Sequence, residues 1–518
     1  MKYLFPLIIF AMIGCAEKKT ETIVHTNSVQ RYAIPHFADS AAFSKMQEAF
    51  PVIEKIYRDY AEQNHFPAIS FGVVAGGQLV YSGSVGTSNI ANHTAATTKS
   101  LFRIASMSKS FTAMAILKLR DEGKLRLMDP VSKFIPEMNQ AGALTQDAPA
   151  INIQNLLTMS AGFPEDNPWG DRQLDIANEE FMKQISAGIS FSNVPGVNYE
   201  YSNLGFALLG KIINKVSGTP YQKYITEHIM KPIGMNDSRW EYDEVPKEQL
   251  ALGYQWIDNE WKEIPLLHDG AYGAMGGMIC SIEDFSKYVA LHLAAWPPRN
   301  EAESGPIRRS SIREMHQPWR FNMLITDSKK RTGELCPITT GYGYGLNWRK
   351  DCRDIVRVAH SGGLPGFGSE WRIYPDYGIG IVAFSNHTYG SPGAANAIAL
   401  DTLIAIGGLK PRVLSPSQIL NQRKEEIIKL VPAWKEDQTN IFAENFFLDE
   451  SLERRRESTR EIMEEAGAII SIHALEPENQ LRGSFIIKCE KKNVFIFFTL
   501  TPEKEALIQQ LDIELRDK

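Results

Sequence analysis

The chain is short of several things, and each shortage removes a class of function. It has five cysteines among 518 residues, and none stands with histidines at a metal-ligand spacing, so no metal site is expected. Basic residues do not outnumber acidic ones. The count of 55 Lys and Arg against 61 Asp and Glu leaves a net charge of −6, without the basic stripe that nucleic acid requires. Beyond the N-terminus no segment runs eighteen residues without a polar break, so nothing else is expected to span a membrane. Gly-x-Ser-x-Gly is absent, which removes the strand–turn–helix nucleophile elbow. No motif calls for a cofactor. What remains is a composition of 43% hydrophobic and 22% charged residues, ordinary for a globular protein, at a length that favours two domains over one core.

The N-terminus is informative. Met1-Lys2 precedes an apolar run from Tyr3 to Ile13 and then Gly14-Cys15, the layout of an export signal too short for a stable span. Met12-Ile13-Gly14-Cys15 resembles the lipobox of bacterial lipoproteins. That resemblance implies a signal peptide over 1–14, acylation at Cys15, and an anchored protein facing the periplasm or exterior of a bacterial envelope. Two or more acyl chains anchor firmly where one does not. The other cysteines, Cys280, Cys336, Cys352 and Cys489, are scattered, and no disulfide framework is expected. Residues 15–44 read as a polar tether.

Periodicity then lays out the chain. Val52, Ile53, Ile56, Tyr57 and Tyr60 recur at helical spacing. Two apolar runs, 68–74 and 78–81, flank Gly76-Gly77 as a β-hairpin. The middle, about 125–350, is rich in short helices and loops, with helices expected over 153–163 and 204–216. Strand character returns at 355–359, 371–374 and 379–384, followed by a closing helix over 394–406. Strands at both ends with helices between them predict an α+β fold: one antiparallel sheet with flanking helices and an inserted all-helical region. This domain is placed at 45–410. A break around Gly407-Gly408 and Pro411 separates a small α+β domain over 411–518, with a helix at 452–466 and strands at 484–489 and 494–500. No catalytic constellation is visible in it.

Chemistry concentrates at Phe102–Phe111. Ser106 and Lys109 are three apart and share a face of a first helical turn, and Phe111 to Leu119 is apolar on nearly every side, as in a buried helix. A serine hydroxyl needs a group within hydrogen-bond reach to take its proton, and a buried lysine is hard to leave unpaired. A solvated serine–lysine pair at a helix start is the ordinary alternative, but this Ser-x-x-Lys is the only one in the chain. Tyr201-Ser202-Asn203 is a candidate proton relay. Its phenol becomes a usable base only if neighbouring positive charge, such as Lys109, lowers its pKa. His360-Ser361-Gly362-Gly363 supplies donors and glycines that let a substrate backbone approach. His268-Asp269-Gly270 also fits His-x-Gly. His360 is preferred because an edge strand leads into it.

Ser106-x-x-Lys109, Tyr201-x-Asn203 and His360-Ser361-Gly362, in that order, resemble the serine β-lactamase and penicillin-binding superfamily. The nearest branch is the class C β-lactamase-related one, with its D-alanyl-D-alanine peptidases, D-aminopeptidases and esterases. The resemblance spans about 45–408. It implies that Ser106 is acylated, that Lys109 and Tyr201 share the proton traffic, and that Asn203 holds the lysine and the substrate amide. It also implies an oxyanion hole from the backbone amides of Ser106 and Gly363, with His360, Ser361 and Gly362 on the substrate-binding wall. One departure matters. Class C β-lactamases have lysine where His360 stands, and a mostly neutral histidine binds a lactam carboxylate less reliably. Hydrolysis of a peptide, amide or ester, of D-alanyl type, therefore ranks above β-lactam hydrolysis. The remaining alternative is a non-catalytic binder of cell-wall-type peptides. The expected partners are a small-molecule or peptide substrate and the membrane, through the anchor.

Overall fold

The computed structural model describes residues 32–518 apart from Ser40, Arg331 and Pro432. The expected signal peptide and Cys15 lie outside the described residues. The chain divides into two compact units, residues 35–413 and residues 414–518, the latter with the described residues 32–34.

In the first unit the two ends of the segment build one sheet. Helix α1 (Phe50–Gln63) leads into β1 (Ala68–Ala75), β2 (Gln78–Asn89) and β3 (Thr94–Ala95). The β1–β2 turn places Gly76 and Gly77 at positive φ, the conformation that a two-residue hairpin demands. Far downstream come β4 (Arg320–Ile325), β5 (Ile338–Tyr342), β6 (Asn347–Asp351), β7 (Val356–Leu364), β8 (Phe367–Tyr374) and β9 (Ile379–Ser385). The nine strands run in the order β3-β2-β1-β9-β8-β7-β6-β5-β4, and β1 pairs antiparallel with β9 through Phe71↔Ala383. Early and late sequence thus meet at the centre of the sheet.

Each face of the sheet is covered because each covering helix is apolar on the side it buries. Ile53, Tyr57 and Ala61 of α1 are buried, with the Tyr57 ring stacked 4.0 Å from that of Phe71. Val52, expected in the apolar set, is exposed. Leu400 and Leu403 of the closing helix Gly393–Gly407 join the same cluster. On the opposite face Phe285 and Tyr288, from the helix Ile282–Ala294, pack on Trp371 of β8. A Cβ at Gly72 of β1 would come within 2.7 Å of the Ile282 side chain, so this glycine sets how closely helix and sheet approach.

Between β3 and β4 lies the inserted region. It is helical but not all-helical: Phe102–Arg103 pairs with Ile279–Cys280, and Gly253–Ile257 pairs with Glu260–Ile264. Helix α2 (Ser108–Asp121) is buried along almost its whole length, as its uniformly apolar sequence predicts. Helix α3 (Asn203–Ser217) begins at the Ser202 N-cap and ends at Gly218 with φ +69°. The helix expected over 153–163 is only Ile153–Leu157. Met159 at φ +55° and Gly162 at φ +84° turn the chain out of it.

Cys336 and Cys352 form a disulfide, contrary to expectation. Their separation of 16 residues hides their proximity, because the β5–β6 hairpin pairs Ile338 with Asp351 and so brings its two open ends together. The last residues of the expected tether are also fixed in place. The His36 amide donates to the Val413 carbonyl and the Val413 amide donates back to that of His36.

The second unit contains the expected helix Leu452–Ala466 and the expected strands within Arg482–Cys489 and Asn493–Leu500. It adds the helix Gln418–Leu430 and three more strands, completing a five-stranded sheet.

Candidate active site

The chain reaches Ser106 through strain and close contact. Ala105 sits at φ +51°, a conformation that costs a non-glycine residue about 1 kcal/mol or more and turns Ser106 out at the start of α2. The turn is held on several sides. Ser108 Oγ donates to the Ala105 carbonyl at 2.8 Å and accepts from the Met278 amide at 3.1 Å. Ser369 Oγ of β8 donates to the Ile104 carbonyl at 2.7 Å. Strand β7 crosses so near that a Cβ on Gly362 would lie 2.4 Å from the Ile104 carbonyl oxygen. Only glycine permits that approach.

Lys109 is fully buried. Its Nζ lies 2.9 Å from Ser106 Oγ, 2.7 Å from Asn203 Oδ1 and 3.0 Å from the Met275 carbonyl oxygen. The last two groups only accept. A neutral amine has two N–H donors and one lone pair, so Asn203 and Met275 take both donors and the lone pair is left for the Ser106 hydroxyl. Burial drives the lysine pKa from 10.5 down to about 7, against the opposing pull of Asp171 and Asp166.

Asn203 is fixed by its place at the first turn of α3. Asp166 accepts from the Asn203 amide at 2.6 Å and from the Leu204 amide at 2.9 Å, capping the helix with a charge that suits its dipole. Asn203 Nδ2 donates to Asn167 Oδ1 at 3.1 Å, which settles which amide atom faces the lysine.

The Tyr201 ring lies 5.0 Å from Lys109 Nζ, and its hydroxyl is within hydrogen-bond reach of Ser106. Burial pushes this phenol well above 10, with the Ser106 bond pulling the other way. The expectation that Lys109 lowers it is therefore corrected. With its own pKa near 7, the lysine is already uncharged at the high pH where the phenol would ionise, so it offers the phenol little positive field.

His360 also departs from the sequence reading. It is buried, and burial followed by the Lys109 charge drives its pKa from 6.5 down to about 3. Its Nδ1–H donates to the Ser361 carbonyl at 2.5 Å, so Nε2 accepts from the Tyr342 hydroxyl at 3.1 Å. Both ring nitrogens are spent, and the ring is a neutral wall. Nor is β7 an edge strand, since it lies between β8 and β6. Strand β6 pairs with it only over Val356–Ala359, however, so from His360 to Leu364 that side of β7 has no strand partner among the described residues. His268, the competing match, is exposed and bonded to Glu241 and Tyr242.

Ser106, Tyr201, His360, Ser361, Gly362 and Gly363 line one cleft of about 370 Å³, with Lys109 and Asn203 hydrogen-bonded behind Ser106. Sequence reasoning missed Asn167, Asp171, Asn347 and Tyr389, which complete the lining, and Asp166 and Met275 behind it. The acidic, proline- and glycine-bearing run Glu165–Asp171 was the available signal for three of these. Nothing in its spacing ties it to Ser106.

The architecture of the first unit is that of penicillin-binding protein homologues. The octameric homologue from Pyrococcus abyssi aligns with a TM-score of 0.58 at 22% identity over 89% of this chain and 95% of its own. The penicillin-binding protein from Bacillus halodurans aligns at 0.51 and 23% identity over 68% of this chain and 98% of its own. The family model Beta-lactamase matches residues 53–406, and the chain belongs to that family. Among curated proteins, Protein flp of Staphylococcus aureus strain MW2 is 26% identical over 64% of this chain. Beta-lactamase-like protein 2 of Dictyostelium discoideum is 29% identical over 70% of it. The chain spans 62% and 63% of the length of these two relatives.

Proposed function

We propose that the chain is an exported, lipid-anchored serine hydrolase that cleaves peptide, amide or ester substrates of D-alanyl type through an acyl-Ser106 intermediate. Membership of the β-lactamase family supports a serine hydrolase acting on amides or esters. The single observation that carries the reading is the Lys109 amine, buried without a carboxylate in salt-bridge range among the described residues, 2.9 Å from Ser106 Oγ.

In the proposed reaction the neutral form of Lys109, about half of the population at pH 7, accepts the Ser106 proton as Oγ attacks the carbonyl carbon. Charge developing on the carbonyl oxygen is met by the backbone amides of Ser106 and Gly363, and loss of one such donor typically costs about 3 kcal/mol of barrier. Tyr201, held in its protonated form, passes a proton to the leaving group and is re-protonated from Lys109. Lys109 rather than Tyr201 is then the base. Water completes the cycle by attacking the acyl ester.

The neutral, fully bonded His360 offers no cation to a lactam carboxylate, which supports peptidase or esterase chemistry over β-lactam turnover. The Cys336–Cys352 disulfide suits an oxidising compartment and supports export. Incubation with a fluorophosphonate probe, followed by peptide mass mapping, should place the label on Ser106 and lose it in Ser106→Ala. A folded protein that takes no label returns the chain to the non-catalytic binders. Rapid turnover of a chromogenic cephalosporin, exceeding that of D-alanyl esters, would overturn the substrate preference.

A further inference from the structure

The lining of the cleft carries a single charge, on a carboxylate with one oxygen that accepts no hydrogen bond. Of the ten residues lining it, Asp171 alone is ionised at neutral pH: there is no lysine or arginine among them, and His360 is neutral. Asp171 lies just after the turn Asn167–Gly170, is only 3% exposed, and its Oδ1 accepts no hydrogen bond from the protein. Its one side-chain neighbour within hydrogen-bond reach is the Tyr389 hydroxyl. No cation forms an ion pair with it among the described residues. The contrast with Asp166, five residues earlier, is instructive. That carboxylate spends both oxygens on the first turn of α3, a structural role that fully accounts for it. Asp171 caps no helix and makes no salt bridge among the described residues; the Lys109 and Arg172 charges act on it only through space, and a buried carboxylate oxygen without a donor is costly.

We infer that Asp171 is a specificity residue that binds an ammonium group of the substrate, so that the cleft selects amides and esters carrying a free amine close to the scissile carbonyl. An incoming ammonium supplies the missing donor and a positive charge in direct contact. Lys109 cannot make that contact, because its donors are engaged by Asn203 and Met275, although its charge favours the ionised carboxylate through space. Arg172 cannot either, since its guanidinium points outward to the Pro168 carbonyl and the Tyr389 hydroxyl. The same arrangement disfavours an anionic group in the cleft. Burial raises the Asp171 carboxyl to about 6, so it is still mostly ionised at pH 7 but loses its charge, and with it the selection, at mildly acidic pH.

The inference rests on the cleft being the substrate site of the proposed hydrolase, and its test does not need turnover. Full-length Ser106→Ala protein is titrated by calorimetry with D-alanine p-nitroanilide and with its N-acetyl derivative. The free amine should bind roughly ten- to a hundredfold more tightly, the range for a charge-assisted hydrogen bond in a desolvated site. The ratio should collapse to within about twofold when Asp171→Asn is added, return in part with Asp171→Glu, and shrink in the Ser106→Ala parent below about pH 6. Equal affinity for the two ligands, or no binding of either, overturns the inference. So does a ratio that Asp171→Asn leaves unchanged. So, too, does acyl-Ser106 accumulating on p-nitrophenyl acetate in Asp171→Asn alone, since that assigns the carboxylate to water activation. If wild-type protein resists the fluorophosphonate while the amine preference is present, the hydrolase reading falls and the ammonium site stands.

Discussion

Replacing Asn203 by Asp tests the proposed proton economy of the site most directly. Asn203 Oδ1 stands 2.7 Å from Lys109 Nζ, so the change swaps a neutral acceptor for a carboxylate at hydrogen-bond distance without altering the shape of the side chain. An opposite charge that near raises a lysine pKa by about 1–3 units. From a starting value of about 7, the neutral fraction at pH 7 falls from roughly one half to between a tenth and a thousandth. Acylation by a neutral-amine base should slow by the same factor, roughly five- to five-hundredfold. It should recover as pH rises, because the chemistry of the neutral amine is intact. The helix tolerates the substitution, since an aspartate in the first turn of α3 suits its dipole. The assay is the rate of Ser106 labelling by a fluorophosphonate between pH 5.5 and 10, for wild type and Asn203→Asp. Wild type should rise along an acid limb centred near 7, and the variant should show the same limb displaced to higher pH. A limb that stays in place, or a rate lowered equally at every pH, refutes the neutral lysine as base.

Three further outcomes follow from the same geometry. Gly362→Ala drives a methyl to within 2.4 Å of the Ile104 carbonyl and 2.6 Å of Ser369 Oγ, so it should displace the Ser106 turn; we expect overpacking to cost about 1–3 kcal/mol in urea unfolding and probe labelling to disappear. Asp166→Ala removes the cap of α3 and should cost about 1 kcal/mol, within a range of roughly 0.5–2, while slowing labelling because Asn203 loses its anchor. Acid should destabilise the first unit through His292, His316 and His360, whose folded pKa values lie below 6.5: each is neutral when folded, takes a proton when unfolded, and so contributes stability that is present above 6.5 and lost as pH falls toward about 3. His292 and His316 bond to each other at 2.8 Å, Trp296 donates to His316, and burial drives both down, with the Arg313 charge adding to the shift at His316. Asp171 and Asp269, each raised to about 6, act in the opposite sense between their unfolded value near 4 and 6. Each of the three histidines taken alone loses up to about 1.4 kcal/mol per pH unit once the unfolded chain protonates it, read as a falling urea midpoint. A midpoint that rises on acidification from pH 6.5 to 5 contradicts this expectation.

Much of the fold was legible because the signals were local. The Gly76-Gly77 hairpin, the all-round apolar α2, and the last two strands of the first unit each follow from period and turn chemistry within a few residues. Ser106-x-x-Lys109 was legible for the same reason, since one helical turn sets the distance. Failures occurred where a contact joins distant segments. The Cys336–Cys352 bridge depends on hairpin register, and the short helix at Ile153–Leu157 depends on where Met159 and Gly162 must turn against the Asn193 backbone.

By itself the sequence determined which groups could do chemistry and in what order they come along the chain: a serine with its lysine, a phenol with an amide, a histidine before glycines. Only the tertiary structure decided the state each group is in. Burial makes Lys109 about half neutral at pH 7, keeps Tyr201 protonated, turns His360 into an uncharged wall and leaves Asp171 as the one charge lining the cleft. The reason is physical. Protonation is set by the dielectric surroundings and partners a side chain meets, and those partners come from remote parts of the chain that no local pattern brings together.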